Sequence, residues 1–405
     1  MICRSSLKCE TCGQNITVRI GMGQGRKQEH SAPCPNCKEA LRFGLNVDYE
    51  KYRWEVFCID NCTMSVEEEG DPAIYVDANF VVPAGAEKSK YGFPRMGQVQ
   101  EHINAILSSG KLPARPAMDL GSQARKDFLA EWLRIKRSIS LSSNGKHDLA
   151  AGLRKGAAQD IYQGDMPTSN ADWLYRFSTR LFCPAYASVF EGVVRQVEYV
   201  GENFQTMGLK SYLEDRSDDR LRKYIDIIGQ FFDAFDDFSQ TLFRCRSGLS
   251  QPDGYIATSE RFEKTKTFYG DAFEVFASSV EFFVMLNNLR SGRDYDQLKT
   301  LDLDKYNKLD NANKFNPLAL NVAFMSLCIE KDNQIRNASH HKGIKMERGT
   351  GLVQYRAGRG GMGDQKEISY VSYLDRSTKL FFQILVVLCA ELRFYRANGI
   401  KSPIL

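Results

Sequence analysis

A chain of 405 residues with 43% hydrophobic and 11% aromatic content carries enough apolar mass for two or three packed domains, which excludes a disordered or fibrous polymer. Its formal net charge of +4 is too small for wholesale coating of nucleic acid, so any such contact must be confined to patches. The longest apolar run, residues 380–390, is interrupted by Gln383 and too short to span a bilayer, and no apolar run follows the basic residues at the N-terminus, so the expectation is a soluble, cytoplasmic protein without a membrane partner.

Eleven cysteines without a signal peptide argue for free thiols and metal ligands over a disulfide framework. Cys9-Glu-Thr-Cys12-Gly and Cys34-Pro-Asn-Cys37 are two C-x-x-C knuckles whose two-residue gaps fold into tight turns and aim four sulfurs at one point. The spacing predicts a structural Zn²⁺ with Cys9, Cys12, Cys34 and Cys37 as ligands, because four thiolates leave no open coordination position for chemistry. Gly13 and Pro35 supply turn residues, and Thr17, Val18 and Ile20 read as a strand of a zinc ribbon. His30 is a redundant candidate ligand. The loop around Arg26 and Lys27 is basic enough to touch nucleic acid, and equally reads as a plain hairpin tip.

From 52 to 82 the pattern alternates in β-formers, giving short strands that extend the ribbon, and Cys58 and Cys62 are expected to be buried as small apolar residues. The first domain is therefore 1–83. Prolines at 83, 94, 113 and 116 mark a connector over 84–170. Within it an amphipathic helix is expected over about 122–139, with Phe128, Trp132, Leu133 and Ile135 inward and Arg125, Lys126, Arg134, Lys136 and Arg137 outward, and the serines and glycines of 138–164 suggest a looser linker.

From 171 to 405 apolar residues recur at helical spacing in five stripes. These are Phe190 to Met207, Leu221 to Leu242, Tyr269 to Phe283, Leu318 to Ile329, and Phe381 to Tyr395. The fold class expected is mainly α, a C-terminal antiparallel helical bundle behind a small N-terminal zinc-ribbon β domain. Asp233, Asp236 and Asp237 read as a solvated acidic face, and Cys183, Cys245, Cys328 and Cys389 as inert core thiols.

The fourth stripe leads into Asp332-Asn-Gln-Ile-Arg336-Asn337-Ala-Ser-His340-His341-Lys342. If that helix continues, Asp332, Arg336 and His340 share one rail and Asn333, Asn337 and His341 the next. Arginine matches phosphate oxygens with a permanently charged fork, and histidine gives or takes a proton near neutral pH. Between 331 and 360 there are seven Lys/Arg against two Asp/Glu, a local excess of +5 that exceeds the charge of the whole chain. Glycines from Gly343 onward open a long loop in which Lys342, Lys345, Arg356 and Arg359 are candidate RNA-backbone contacts. The run GRGGMG lacks the lysine and hydroxyl of a nucleotide-binding loop.

Arg336, Asn337 and His341 resemble the R-N-x-x-x-H form of the motif of HEPN domains, all-α bundles found in many metal-independent endoribonucleases. The resemblance implies that Arg336 holds the scissile phosphate, that Asn337 is the polar second position and that His341 is general acid or base, with His340 and Asp332 as orienting groups. It further implies cleavage to a cyclic phosphate, a homodimer that brings two motifs together, and a role as a bacterial defence or toxin-type effector under a protein regulator or phage-derived trigger. The competing reading is a non-enzymatic module in which the ribbon binds nucleic acid or protein and the bundle is a scaffold. A metal-dependent nuclease is disfavoured because no compact carboxylate and histidine set has ligand spacing.

Overall fold

The structure is a computed structural model that describes residues 1–23, 25–85, 94–108, 122–259, 261–340, 343–347, 350–356, 358 and 363–402, with backbone alone at 94, 102, 105–108 and 122–127. The described chain is mainly helical, with small sheets. It divides into two compact units. The first comprises Met1–Lys126, Ala234–Thr267 and Asn337–Thr378; the second comprises Asp127–Asp233, Phe268–Arg336 and Lys379–Leu405. Sequence reasoning placed domains one after another, whereas the units interleave along the chain. Among the described residues no helix is long and apolar enough to cross a membrane.

Among the described residues all the strands belong to the first unit. Strands β1 (Ile2–Cys9), β2 (Asn15–Gly21), β3 (Lys27–Pro33), β4 (Ala40–Asp48), β5 (Arg53–Asp60), β6 (Cys62–Met64) and β7 (Ala73–Asp77) form two sheets, ordered β6-β1-β2-β7 and β3-β4-β5. Only β2 and β7 run parallel in the first sheet. Alternation buries Leu7, Ile16, Val18, Ile20, Leu41, Phe43 and Leu45 in one apolar cluster that also takes Cys9, Cys34 and Cys62. Short strands β8 (Val82–Pro83) and β9 (Tyr255–Ile256) pair beyond it.

A second expectation is corrected within this unit. The glycine-rich stretch after the motif is not one long loop, because β10 (Ile344–Glu347), β11 (Leu352–Arg356) and β12 (Gln365–Ser369) form an antiparallel sheet. Ile344, Val353 and Tyr355 are buried by the same two-residue alternation, and Gly351, at φ +66°, makes the turn that a β-branched residue would resist. Asp237, expected on a solvated face, is fully buried and accepts from the Ser259 and Tyr370 hydroxyls and the Arg261 N–H. It is buried because a helix starts at Phe235 and carries it inward with Phe238, and burial pushes its carboxyl above the usual range.

The expected helix runs over Ser122–Ser143, and its buried line, all in the second unit, is Phe128, Trp132, Ile135 and Ile139. Leu133 is 57% exposed, contrary to expectation, because it sits about 100° round the helix from Trp132. The expected linker over 138–164 is also corrected: His147–Asp160 is a helix. Buried Ala150, Ala157 and Ala158 let it pack closely, and the Ser138 hydroxyl donates to Asn170 at 2.7 Å. Trp132 stacks on Phe177 and Phe232. The helix Ala187–Asn203 buries Val193, Val197 and Val200 and stops before Met207, which is 82% exposed.

The stripe expected to run from Leu318 into the motif as one helix is broken. A 3₁₀ turn at Asn316–Leu318 and a single turn at Val322–Met325 leave Val322 and Ile329 exposed, while Phe324, Leu327 and Cys328 are buried instead. Asn321 caps that turn and ends the preceding one, which resets the helical phase. The final helix, Tyr370–Asn398, buries Phe381, Leu385, Leu388, Leu392 and Tyr395 as expected. Gln383, the polar interruption in its apolar run, accepts from the Glu330 N–H at 2.6 Å and donates to the Glu330 carbonyl at 2.9 Å. It thereby fixes the segment just before the motif.

Buried His30 of the first unit offers a pH test. Its Nδ1 lies 3.1 Å from the Thr258 hydroxyl, and desolvation pushes its pKa down to about 4, against a weaker opposing pull from Asp77. A folded pKa below the unfolded value of about 6.5 means that the stability it contributes is fully present above pH 6.5 and is lost as pH falls toward 4. Urea unfolding at pH 7 and pH 4.5 is expected to show wild type losing about 2–3 kcal/mol more than His30→Leu. Equal losses in the two proteins would refute this assignment.

Candidate metal centre and motif helix

The first knuckle follows β1 and the second follows β3, and the two are built alike. In each, the first cysteine's carbonyl accepts from the N–H four residues on, Gly13 to Cys9 at 2.9 Å and Lys38 to Cys34 at 3.1 Å. In each, that cysteine's N–H donates five residues on, Cys9 to Gln14 at 2.9 Å and Cys34 to Glu39 at 2.8 Å. Both turns need a left-handed residue, supplied by Gly13 at φ +73° and by Lys38 at φ +69°. Glycine announced the first in the sequence; the second was hidden behind a lysine.

These turns bring the four sulfurs within 4.8 Å of one another, with Cys9 Sγ 3.8 Å from Cys37 Sγ and Cys12 Sγ 3.7 Å from Cys34 Sγ. A tetrahedral ion with bonds of about 2.3 Å to sulfur requires sulfur–sulfur edges of about 3.8 Å. The cluster therefore can hold a metal ion. Within the cluster the Gln14 N–H draws Cys12 down to about 6, whereas desolvation drives Cys37 up to about 12. Four crowded thiolates cannot coexist unless a cation sits among them.

Sequence reasoning missed Asn61. Its Oδ1 accepts from the Thr11 N–H at 3.1 Å and the Thr11 hydroxyl at 2.7 Å, inside the first knuckle. Its Nδ2 donates to the Ala40 carbonyl at 3.0 Å, just beyond the second. One carboxamide thus ties the two knuckles together from a turn where its own φ is +53°. Cys62 beside it is buried, raised to about 12 by desolvation, and hydrogen-bonded to the Arg42 carbonyl, in keeping with a core thiol. His30 stands on Thr258, outside the four-sulfur cluster.

The motif helix spans Asn333–His340, eight residues in place of a continued long helix. Asp332 starts it, its Oδ1 accepting from Gln334 N–H at 2.9 Å and Ile335 N–H at 3.3 Å, which is the work of an N-cap. Ile335, Ala338 and Ser339 are buried; Arg336 and Asn337 are half-buried and His340 is exposed. The divide between the two units falls between Arg336 and Asn337. In the second unit Arg336 forms an ion pair with the partly exposed Glu274, whose other oxygen accepts from Asn311 at 2.6 Å. Glu274 and Asn311 were not anticipated, since nothing local in the sequence links them to the motif. In the first unit Lys345 and Arg356 are exposed on neighbouring strands β10 and β11. His341, Lys342 and residues 359–362, which include Arg359 and the middle of the GRGGMG run, lie outside the described residues, as do the Arg125 and Lys126 side chains.

No protein-family model, curated protein or solved structure matches the chain.

The metal centre makes a direct prediction. Cys34→Ser is expected to cut bound metal well below one ion per chain and to lower the melting temperature, whereas Cys58→Ser leaves metal content unchanged. Asn61→Ala is expected to weaken metal affinity about 10–100-fold with all four ligands present. Metal analysis and chelator competition check both, and metal content that is the same in wild type and Cys34→Ser would contradict the site.

Proposed function

We propose that the chain is a metal-independent endoribonuclease whose four-cysteine centre holds a structural Zn²⁺. The observation that carries this reading is the motif helix, which keeps Arg336, Asn337 and His340 on one short element. Arg336 remains partly exposed and is held by a carboxylate that is itself partly exposed, a partner that an RNA phosphate can displace. In the reaction a base, His341 or His340, takes the proton of a ribose 2′-hydroxyl. The 2′-oxygen forms a bond to the adjacent phosphorus, the bond to the 5′-oxygen breaks, and an acid returns a proton to that leaving oxygen. A 2′,3′-cyclic phosphate results. Arg336 neutralises charge on the phosphate, and a symmetric dimer supplies a second motif for the acid. Lys342, Lys345, Arg356 and Arg359 would follow the RNA backbone, and the biological role suggested by the HEPN resemblance is defence or toxin action.

One observation favours the non-enzymatic module: Glu274 already occupies the Arg336 guanidinium. RNA cleavage in EDTA, with helical content monitored, separates the two. Wild type is expected to cut, with His341→Ala or Arg336→Ala reduced about 10²–10⁴-fold at equal helicity. Cleavage that persists in both variants, or none by wild type as an isolated dimer, would overturn the nuclease reading in favour of the module.

A further inference from the structure

The second unit contains a polar pocket with a cavity volume of about 360 Å³, lined by residues of which none belongs to the RNA or metal assignments. This is within the size range of small-molecule sites. Its floor is a buried charge network. Arg220 donates to Glu281 at 3.0 Å and pairs at two points with Glu391, which also accepts from Tyr224 at 2.7 Å. Tyr212 and Asn307 donate to the remaining Glu281 oxygen at 2.8 and 2.7 Å. Every oxygen of both carboxylates is thus engaged, which makes the floor rigid, and Arg220 offsets one of its two negative charges.

The walls differ. Arg216, Lys223 and Lys314 line the same pocket against one further acid, Asp219, so the lining carries four cations against two carboxylates, and a net +1 remains when Glu391 beneath is counted. Lys314 is half-buried, and its backbone is pinned by the Tyr306 hydroxyl at 3.0 Å on its carbonyl. Among the described residues no carboxylate pairs with Lys314 or Lys223. Desolvation holds the Lys314 ammonium below its ordinary pKa, the condition that an entering anion relieves. Arg216 lies over the Tyr212 ring at 4.0 Å, which positions its guanidinium at the rim.

A floor already satisfied and a wall with unmatched cations select an anion, and two compact ammonium groups with one guanidinium suit the several oxygens of a phosphate better than one carboxylate. Asp219 adds an acceptor for hydroxyl groups. We propose that this pocket binds a small hydroxyl-bearing phosphate ester, with Lys314, Lys223 and Arg216 on the phosphate and Asp219 on the hydroxyls.

The test is calorimetric titration of the full chain at fixed ionic strength with ribose 5-phosphate, ribose and inorganic phosphate. Saturable binding of ribose 5-phosphate is expected, weaker binding of inorganic phosphate, and none of ribose. Lys314→Met and the exposed Lys223→Met should each weaken it about tenfold or more, while Lys401→Met leaves it unchanged. Because Lys223 is exposed, its variant keeps the test valid if Lys314→Met does not fold. No heat with ribose 5-phosphate at millimolar concentration, or affinity unaltered in Lys223→Met, would overturn the proposal. Neither result bears on RNA cleavage, since no residue is shared.

Discussion

Four cysteine sulfurs drawn to within 4.8 Å of one another form a cluster that could hold a metal ion, and the two turns that bring them together organise the β-rich first unit. The knuckles sit at the ends of β1 and β3 and lead into β2 and β4, so they link the strands of the two sheets in which those pairs lie. The strands themselves are short, and several of the residues that fill their shared core are the cysteines. Asn61 reaches from one knuckle to the strand beyond the other, so one carboxamide ties together the two backbone segments that carry the sulfurs.

The motif helix depends on a different kind of support. Its start is set by the Asp332 carboxylate, and the segment before it is held by Gln383 and by the Tyr269 hydroxyl on Glu330 at 2.7 Å. These are polar devices in an otherwise aromatic unit, where Phe231 stacks on Phe381 and Phe283 on Phe324. Residues that look like catalytic ornament in the sequence thus divide by what they touch. Asp332 builds the helix, Arg336 faces a carboxylate, and His340 is exposed on the same helix.

Much of this was legible in the residues themselves. Two C-x-x-C pairs determine their turns because the spacing is short and local, and heptad-like stripes such as 381–395 determine their helices for the same reason. What stayed hidden is what distant parts of the chain decide. Leu133 is apolar yet exposed because the neighbouring turn of its helix already presents Trp132 and Ile135. Asp237 reads as surface but is taken inside by Ser259 and Tyr370, partners more than twenty and more than a hundred residues away. Glu274 meets Arg336 across 62 positions, a pairing no periodicity encodes. The strands after Gly343 were obscured by the high glycine content around them, in which Gly351 takes a left-handed turn conformation just before β11.

The measurement that tests the metal centre most directly is X-ray absorption at the metal edge of the purified 405-residue chain. The account predicts one zinc per chain surrounded by four sulfurs at about 2.3 Å, with no nitrogen or oxygen in its first shell. A shell containing nitrogen or oxygen, or a chain that folds to the same stability with no metal bound, would contradict it.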